Sequence, residues 1–291
     1  MSADVMCDEK GFCVQREGER CVIDATGVYY RQLNERIRAA LEHGVTDIEV
    51  VQVRGQRYIA TAVEGDVRFT VRGVPGQDLG AFMRGPVIHV YGNAQDGVGN
   101  TMDGGRIVIH GMAGDVLGYA MRDGRILVRG DVGYRVGIHM KAYMDRVPVI
   151  VVGGKAGDFL GEYMAGGAII LLGMHSGMAD APITGRNLGT GMHGGVIYLR
   201  GRVPEYQLGP GLSMEPVDEA DLDFLRGHVA DFAAEFAGEF GAGGAAGGSE
   251  AAGQAAPVDA EALAAAILSE PFVKIRPFSH RPYGNMYVGT N

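Results

Sequence analysis

Cys7, Cys13 and Cys21 are the chain's only cysteines, and thiolates at C-x5-C-x7-C could ligate an iron–sulfur cluster. The spacing contains no C-x-x-C pair, so the same residues also read as three ordinary thiols, and their odd number fits a reducing compartment rather than a disulfide scaffold. GTGMHG, from Gly189 to Gly194, matches the G-x-G-x-x-G dinucleotide fingerprint letter for letter. That fingerprint needs a helix after it and an acid about 20 residues on, whereas here the strand-like VIYLRG follows, so the hexapeptide reads as a corner. No G-x-x-x-x-G-K-[ST] phosphate loop occurs. His139, His175 and His193 stand singly, outside any H-E-x-x-H spacing. Asp78, Asp96, Asp115 and Asp158 precede glycines as in calcium-binding β-rolls, but those repeat about every nine residues, and local Asx turns are the expected role here. Met83, Met102, Met121, Met140, Met164 and Met192 offer soft ligands, yet their regular spacing suits core packing better. The residues thus nominate no catalytic group, no cofactor ligand and no metal site in this chain, the cysteine cluster remaining the alternative.

What positions these residues is a repeat. Gly80, Gly99, Gly118, Gly137, Gly161 and Gly189 lie at intervals of 19, 19, 19, 24 and 28, and each is followed three residues later by one of the six methionines. A closing glycine ends each unit, at Gly92, Gly111, Gly130, Gly153, Gly173 and Gly201. Of the 48 glycines, 30 fall between Gly73 and Gly201. Before each closing glycine runs a β-type segment of period two, whose inward residues are read as Ile88 and Val90, Ile107 and Ile109, Ile126 and Val128, Val149 and Val151, Ile169 and Leu171, Ile197 and Leu199. Two earlier segments, ending at Gly55 and Gly73, continue the series upstream. A unit this short cannot bury its apolar face alone, and stacking solves the problem. The expected fold is an all-β core: a parallel β-helix, a single-stranded solenoid of about 19-residue coils with flanking α-helices.

Charge narrows the partners. A net charge of −9 disfavours nucleic acid and anionic membrane, no apolar run is long enough to span a bilayer, and MSADVMCDEK lacks the features of a signal peptide, so a cytoplasmic location is expected. The chain divides into an N-terminal extension (1–22), a β-helix domain with its N-terminal helix (23–201), a C-terminal helix (202–240), an Ala/Gly linker (241–256), and a short helix with a docking tail (257–291). The first helix carries Tyr30, Leu33, Ile37, Ala40 and Leu41 on one face, with Thr26 near its start and Gly44 as its stop; the C-terminal one carries Leu222, Leu225, Val229, Phe232 and Phe236. The apolar outward positions Ile150, Val152, Ile170 and Leu172 require a cover, either the C-terminal helix or tail, or a partner subunit. Insertions at Lys141–Pro148 and Met174–Thr184 interrupt the period, and inserted solenoid loops often make contacts. Lys141, Tyr143, His175, Ile150 and Ile170 are therefore the candidate partner interface.

Several segments, among them IDATGVYYRQLNERIRAALEHG, GNAQDGVGNTM, GDVGYRVGIHMK and LGTGMHGGVIYLRG, closely resemble the C-terminal GXGXG domain of the glutamate synthase large subunit, over about Ile23 to Gly201. The resemblance implies a right-handed β-helix. It also implies a free-standing subunit of a split enzyme, because Ser2 occupies the place of an amidotransferase nucleophile and the chain is too short to add an FMN barrel of about 250 residues. The implied partners are a glutaminase-type amidotransferase subunit and an FMN-binding synthase subunit that also carries the iron–sulfur cluster. Cys7, Cys13 and Cys21 depart from the family's cluster-binding pattern, so ligation is not carried over to them. N-methylglutamate synthase and one of the chains of formylmethanofuran dehydrogenase use the same repeat and give alternative readings, as does an independent binding scaffold.

Overall fold

The computed structural model describes residues 4–7, 13–17, 20–174, 176, 180–240 and 258–278. The Ala/Gly linker, His175 and the tail after Phe278 lie outside the described residues. The elements run β1 (Asp4–Cys7), β2 (Cys13–Glu17), β3 (Arg20–Asp24), α1 (Tyr30–Glu42), β4 (Asp47–Arg54), β5 (Arg68–Val74), β6 (Val87–Tyr91), β7 (Asp103–Ile109) and β8 (Asp123–Val128). They continue with β9 (Val149–Val152), β10 (Ala165–Leu171), β11 (Gly194–Arg200), β12 (Leu212–Pro216), α2 (Glu219–Phe236), α3 (Ala260–Leu268) and β13 (Phe272–Pro277). From β3 to β11 every strand pairs in parallel with the next, so each coil lays one strand on the last, and the chain forms a β-solenoid. On a second side the coils meet through single parallel bridges, Ala94 to Ala113 to Val132 to Ala156 to Thr184.

The third side explains the glycine and methionine columns. At each corner the anchor glycine has φ between +66° and +70°, and the residues two before and two after it are left-handed as well, for example Val116 (51°), Gly118 (69°) and Ala120 (50°). This alternation sends hydrogen bonds both ways: Gly118 N–H donates back to Val98 O at 2.8 Å, while Val116 and Ala120 donate forward to Tyr134 and Ile138, both at 2.8 Å. A corner is thereby bonded to both neighbours as a strand would be, which is what holds side chains such as Val116 and Thr101 in a conformation that β-branched residues otherwise avoid. Space matters equally. A Cβ on Gly99, Gly118, Gly137 or Gly161 would stand 2.5–2.6 Å from the Cδ1 of Ile126, Ile150, Ile169 or Ile197. The methionines are buried, and Met102 and Met164 extend their methyls to where a Cβ on Gly124 or Gly195 would stand, 2.5 Å away.

A seventh corner precedes the six. Tyr58, Ala60 and Ala62 repeat the pattern at φ 62°, 59° and 56°, with Ala60 in the glycine's place and Val63 in the methionine's. One phase differs from expectation: Ile150 and Val152, not Val149 and Val151, face inward, because Ile150 stacks between Ile126 and Ile169. In VPVIVVGG every candidate is apolar, and the glycine that continues the column is Gly154, whose N–H donates to Gly130 O at 3.0 Å, rather than Gly153.

The ends are closed from within the chain. Leu33, Ile37 and Ala40 of α1 join the solenoid core at one end. That helix begins at Tyr30 rather than near Thr26, since a turn at Gly27 (φ +66°) intervenes and Thr26 N–H is held by Asp24 Oδ1 at 2.8 Å. At the other end β13 runs antiparallel between β11 and β12, and Leu212, Val273 and Ile275 shut the core. The apolar outer face of β7 to β11, including Val108, Leu127, Val151 and Ile170, is covered by Leu225, Val229, Phe232 and Phe236 of α2 and by Leu263 and Ile267 of α3. No helix among the described residues is long and apolar enough to cross a membrane.

Candidate interaction surface

The first insertion forms a short, pinned protrusion. Tyr143 and Arg146 exchange both backbone hydrogen bonds at 3.0 Å, and Arg146 reaches Asp103 Oδ1 at 2.8 Å, where Arg84 also pairs with the carboxylate at 2.6 Å. Those ion pairs draw Asp103 below the usual carboxylate range although its partial burial opposes the shift. The loop displays Tyr143 (63% exposed) and Met144 (81% exposed), with Lys141 and Val147 also at the surface. It leaves the solenoid two residues after His139, which stacks on Tyr163 at 5.4 Å and meets Tyr119 edge-on at 5.9 Å. Tyr163 in turn lies over Gly191, where a Cβ would stand 2.4 Å from its ring. Aromatic rings with one open face, beside a Tyr–Met protrusion, have the composition of a protein-binding surface.

The described residues of the second insertion lie against the solenoid instead. Ser176 Oγ donates to Asp131 Oδ2 at 3.0 Å, Lys155 Nζ donates to Ala181 O, and Ile183 packs on the core. Asp131 and Lys155 are buried, and Asp131 Oδ1 also accepts the Lys155 N–H at 2.7 Å. The corner aspartates behave similarly: Asp96, Asp115 and Asp158 accept N–H bonds of 2.8–2.9 Å from Asp115, Tyr134 and Arg186 of the following coil. This corrects the expected local Asx turns, because stacking in register brings the next coil's amide to each carboxylate. Asp78 instead accepts from the Asn100 side chain at 2.9 Å.

Of the sequence-nominated interface, Lys141 and Tyr143 are exposed, His175 lies outside the described residues, and Ile150 is inside the solenoid, a correction that follows from the register above. Ile170 faces outward but is buried beneath the chain's own helices, so it too leaves the interface. Tyr119 and Tyr163 join the surface; their signal was a ring at the first or second position after an anchor glycine, Tyr119 after Gly118, His139 after Gly137 and Tyr163 after Gly161. Cys7 stands opposite Cys13 in the β1–β2 pair, while Cys21 stands opposite Arg16 and is buried in the core. Among the described residues, no three or more His, Cys, Asp or Glu side chains are grouped to hold a metal ion.

A cleft of about 660 Å³ lies where β11, β12 and β13 meet α2, lined by Tyr198, Ser213, Glu215, Asp221, Lys274 and Arg276 among others. Its charges are internally paired. Lys274 Nζ donates to Asp218 at 2.7 Å and Asp221 at 2.6 Å, Tyr198 donates to Asp221 at 2.7 Å, and Arg276 pairs with Glu215 at 2.9 Å. The lysine bond, with the Asp221 N–H, holds Asp218 down at about 2, and burial together with Asp221 pushes the Tyr198 phenol upward.

A parallel solenoid whose corners alternate left-handed residues around a buried glycine defines the class of this protein. The chain belongs to the GXGXG motif family, whose profile matches residues 42–242. It is 44% identical over 274 residues to an uncharacterized protein of Methanocaldococcus jannaschii, covering 93% of this chain and 97% of that one. Its fold is similar to a chain in the crystal structure of the formyltransferase/hydrolase complex of Methylorubrum extorquens with methylofuran, at a TM-score of 0.50 and 23% identity, covering 65% of this chain and 67% of that one.

Proposed function

We propose that this chain is a non-catalytic assembly subunit of a split glutamate synthase-type complex, organising a glutaminase-type subunit and an FMN/iron–sulfur subunit for the glutamine-dependent reductive amination of 2-oxoglutarate. The observation that carries the reading is membership of the GXGXG family over residues 42–242, which include β4 to β11. The exposed Tyr143–Met144 protrusion beside the corner aromatics supports it by supplying a contact surface. A second reading, a same-fold subunit of a formyl-transfer enzyme, is favoured by the similar fold within a formyltransferase/hydrolase complex.

Affinity purification of the tagged full chain from its native cell tests both. The expected result is co-purification of a flavoprotein and an amidotransferase, with glutamate formed from 2-oxoglutarate, glutamine and a reductant. Activity with methylamine in place of glutamine's nitrogen points to the N-methyl relative. Elution without any flavoprotein sinks the glutamate synthase reading.

A further inference from the structure

The strand β13 is out of sequence in the sheet. It lies between β11 and β12, although β12 precedes α2 and β13 follows α3, so it supplies the neighbour that each of those strands has on that side. Its side chains alternate accordingly. Val273 and Ile275 enter the solenoid core, Phe272 joins the outer apolar layer, and Lys274 is gripped by Asp218 and Asp221 of the α2 N-terminus. Immediately before it, Leu263 and Ile267 of α3 pack on the same layer as α2.

The connection to this segment is longer than the fold requires. Val258 N–H donates to Phe240 O at 3.3 Å, so the two ends of the intervening stretch already touch. Residues 241–257 nonetheless separate them, and thirteen of those seventeen are Ala or Gly. A turn of about two to eight residues would connect helices so placed.

We infer that the slot between β11 and β12, with the adjoining face of α2, is a docking site for a helix–strand segment, occupied by residues 258–278 of the same chain and open to the equivalent segment of a second copy. The recognition chemistry is a short apolar helix followed by an apolar–basic–apolar strand. Antiparallel pairing with both edges supplies the main-chain bonds, and the Asp218–Asp221 pair selects the lysine. The inference is independent of the enzyme in which the chain serves.

The test uses the full chain with a site-specific protease sequence replacing residues 246–251. After cleavage, a fluorescent peptide of residues 258–278 is added in excess and incorporation is followed by size exclusion. The expected result is that the chain stays folded, the cut segment remains bound at first, and the labelled peptide replaces it. A Lys274→Met peptide should compete about tenfold less well or worse. In the uncut chain the tethered segment should resist replacement up to about millimolar peptide. Unfolding on cleavage, a cut segment that never exchanges, or equal competition by the Lys274→Met peptide would each overturn the inference.

Discussion

Gly118 separates two reasons for being glycine. Its φ of +69° alone should cost an alanine about 1–2 kcal/mol, as it should at Gly27, where φ is +66° and nothing lies within 4 Å of a Cβ. Gly118→Ala also drives its Cβ onto Ile150 Cδ1, which is fully buried, and overpacking of that kind adds about 1–3 kcal/mol. Denaturant midpoints should therefore fall further for Gly118→Ala than for Gly27→Ala, and adding Ile150→Val, which removes the clashing methyl, should recover part of the difference. Equal costs at the two glycines would refute the packing argument. Titration gives another expectation at this scale. Burial lowers the pKa of His89 and of His228 from 6.5, so the unfolded chain binds protons there first as the pH falls. The stability associated with these neutral imidazoles is present above pH 6.5 and is lost on acidification below it. Asp218, held at about 2 rather than 3.8, loses its contribution in a separate window between those values. Thermal melts should show Tm already falling between pH 7 and pH 5.5, and His89→Gln combined with His228→Gln should flatten that slope.

Among the elements, α2 closes the outer face through Phe232 and Phe236, both fully buried, and through Arg106, which pairs with Asp231 at 2.7 Å and Glu235 at 2.8 Å. Phe236→Ala should destabilise by about 3–5 kcal/mol, measured by urea unfolding. Arg106→Ala should also destabilise, because it leaves Glu235 without its guanidinium partner and Asp231 with Arg125 alone, at 3.1 Å. The faces of these helices were legible because Leu225, Val229, Phe232 and Phe236 recur at helical spacing. The corners were legible because glycine and methionine recur together. What was not legible has local causes. Ala60 hides a corner because hydrogen bonds to both neighbouring coils can hold an alanine at positive φ, and VPVIVVGG hides its phase because period two carries no information when every residue is apolar. The candidate surface was half legible: an interrupted period locates Tyr143, but which outward apolar residues stay exposed depends on where a distant helix lands.

For the whole molecule, the protrusion predicts a separation of assembly from folding. Tyr143→Ala with Met144→Asp should leave Tm within about 1 °C of wild type, since both side chains project into solvent, yet reduce co-purification of partner subunits at least tenfold. Unchanged co-purification would move the interface elsewhere on the solenoid. The stacking itself has a geometric consequence. Nine parallel strands, β3 to β11, stepped about 4.8 Å apart, hold the first and last of them about 38 Å from each other. That makes the solenoid a ruler with discrete graduations: anything bound at its two ends is spaced by the number of coils, and the distance changes only by the gain or loss of a whole one.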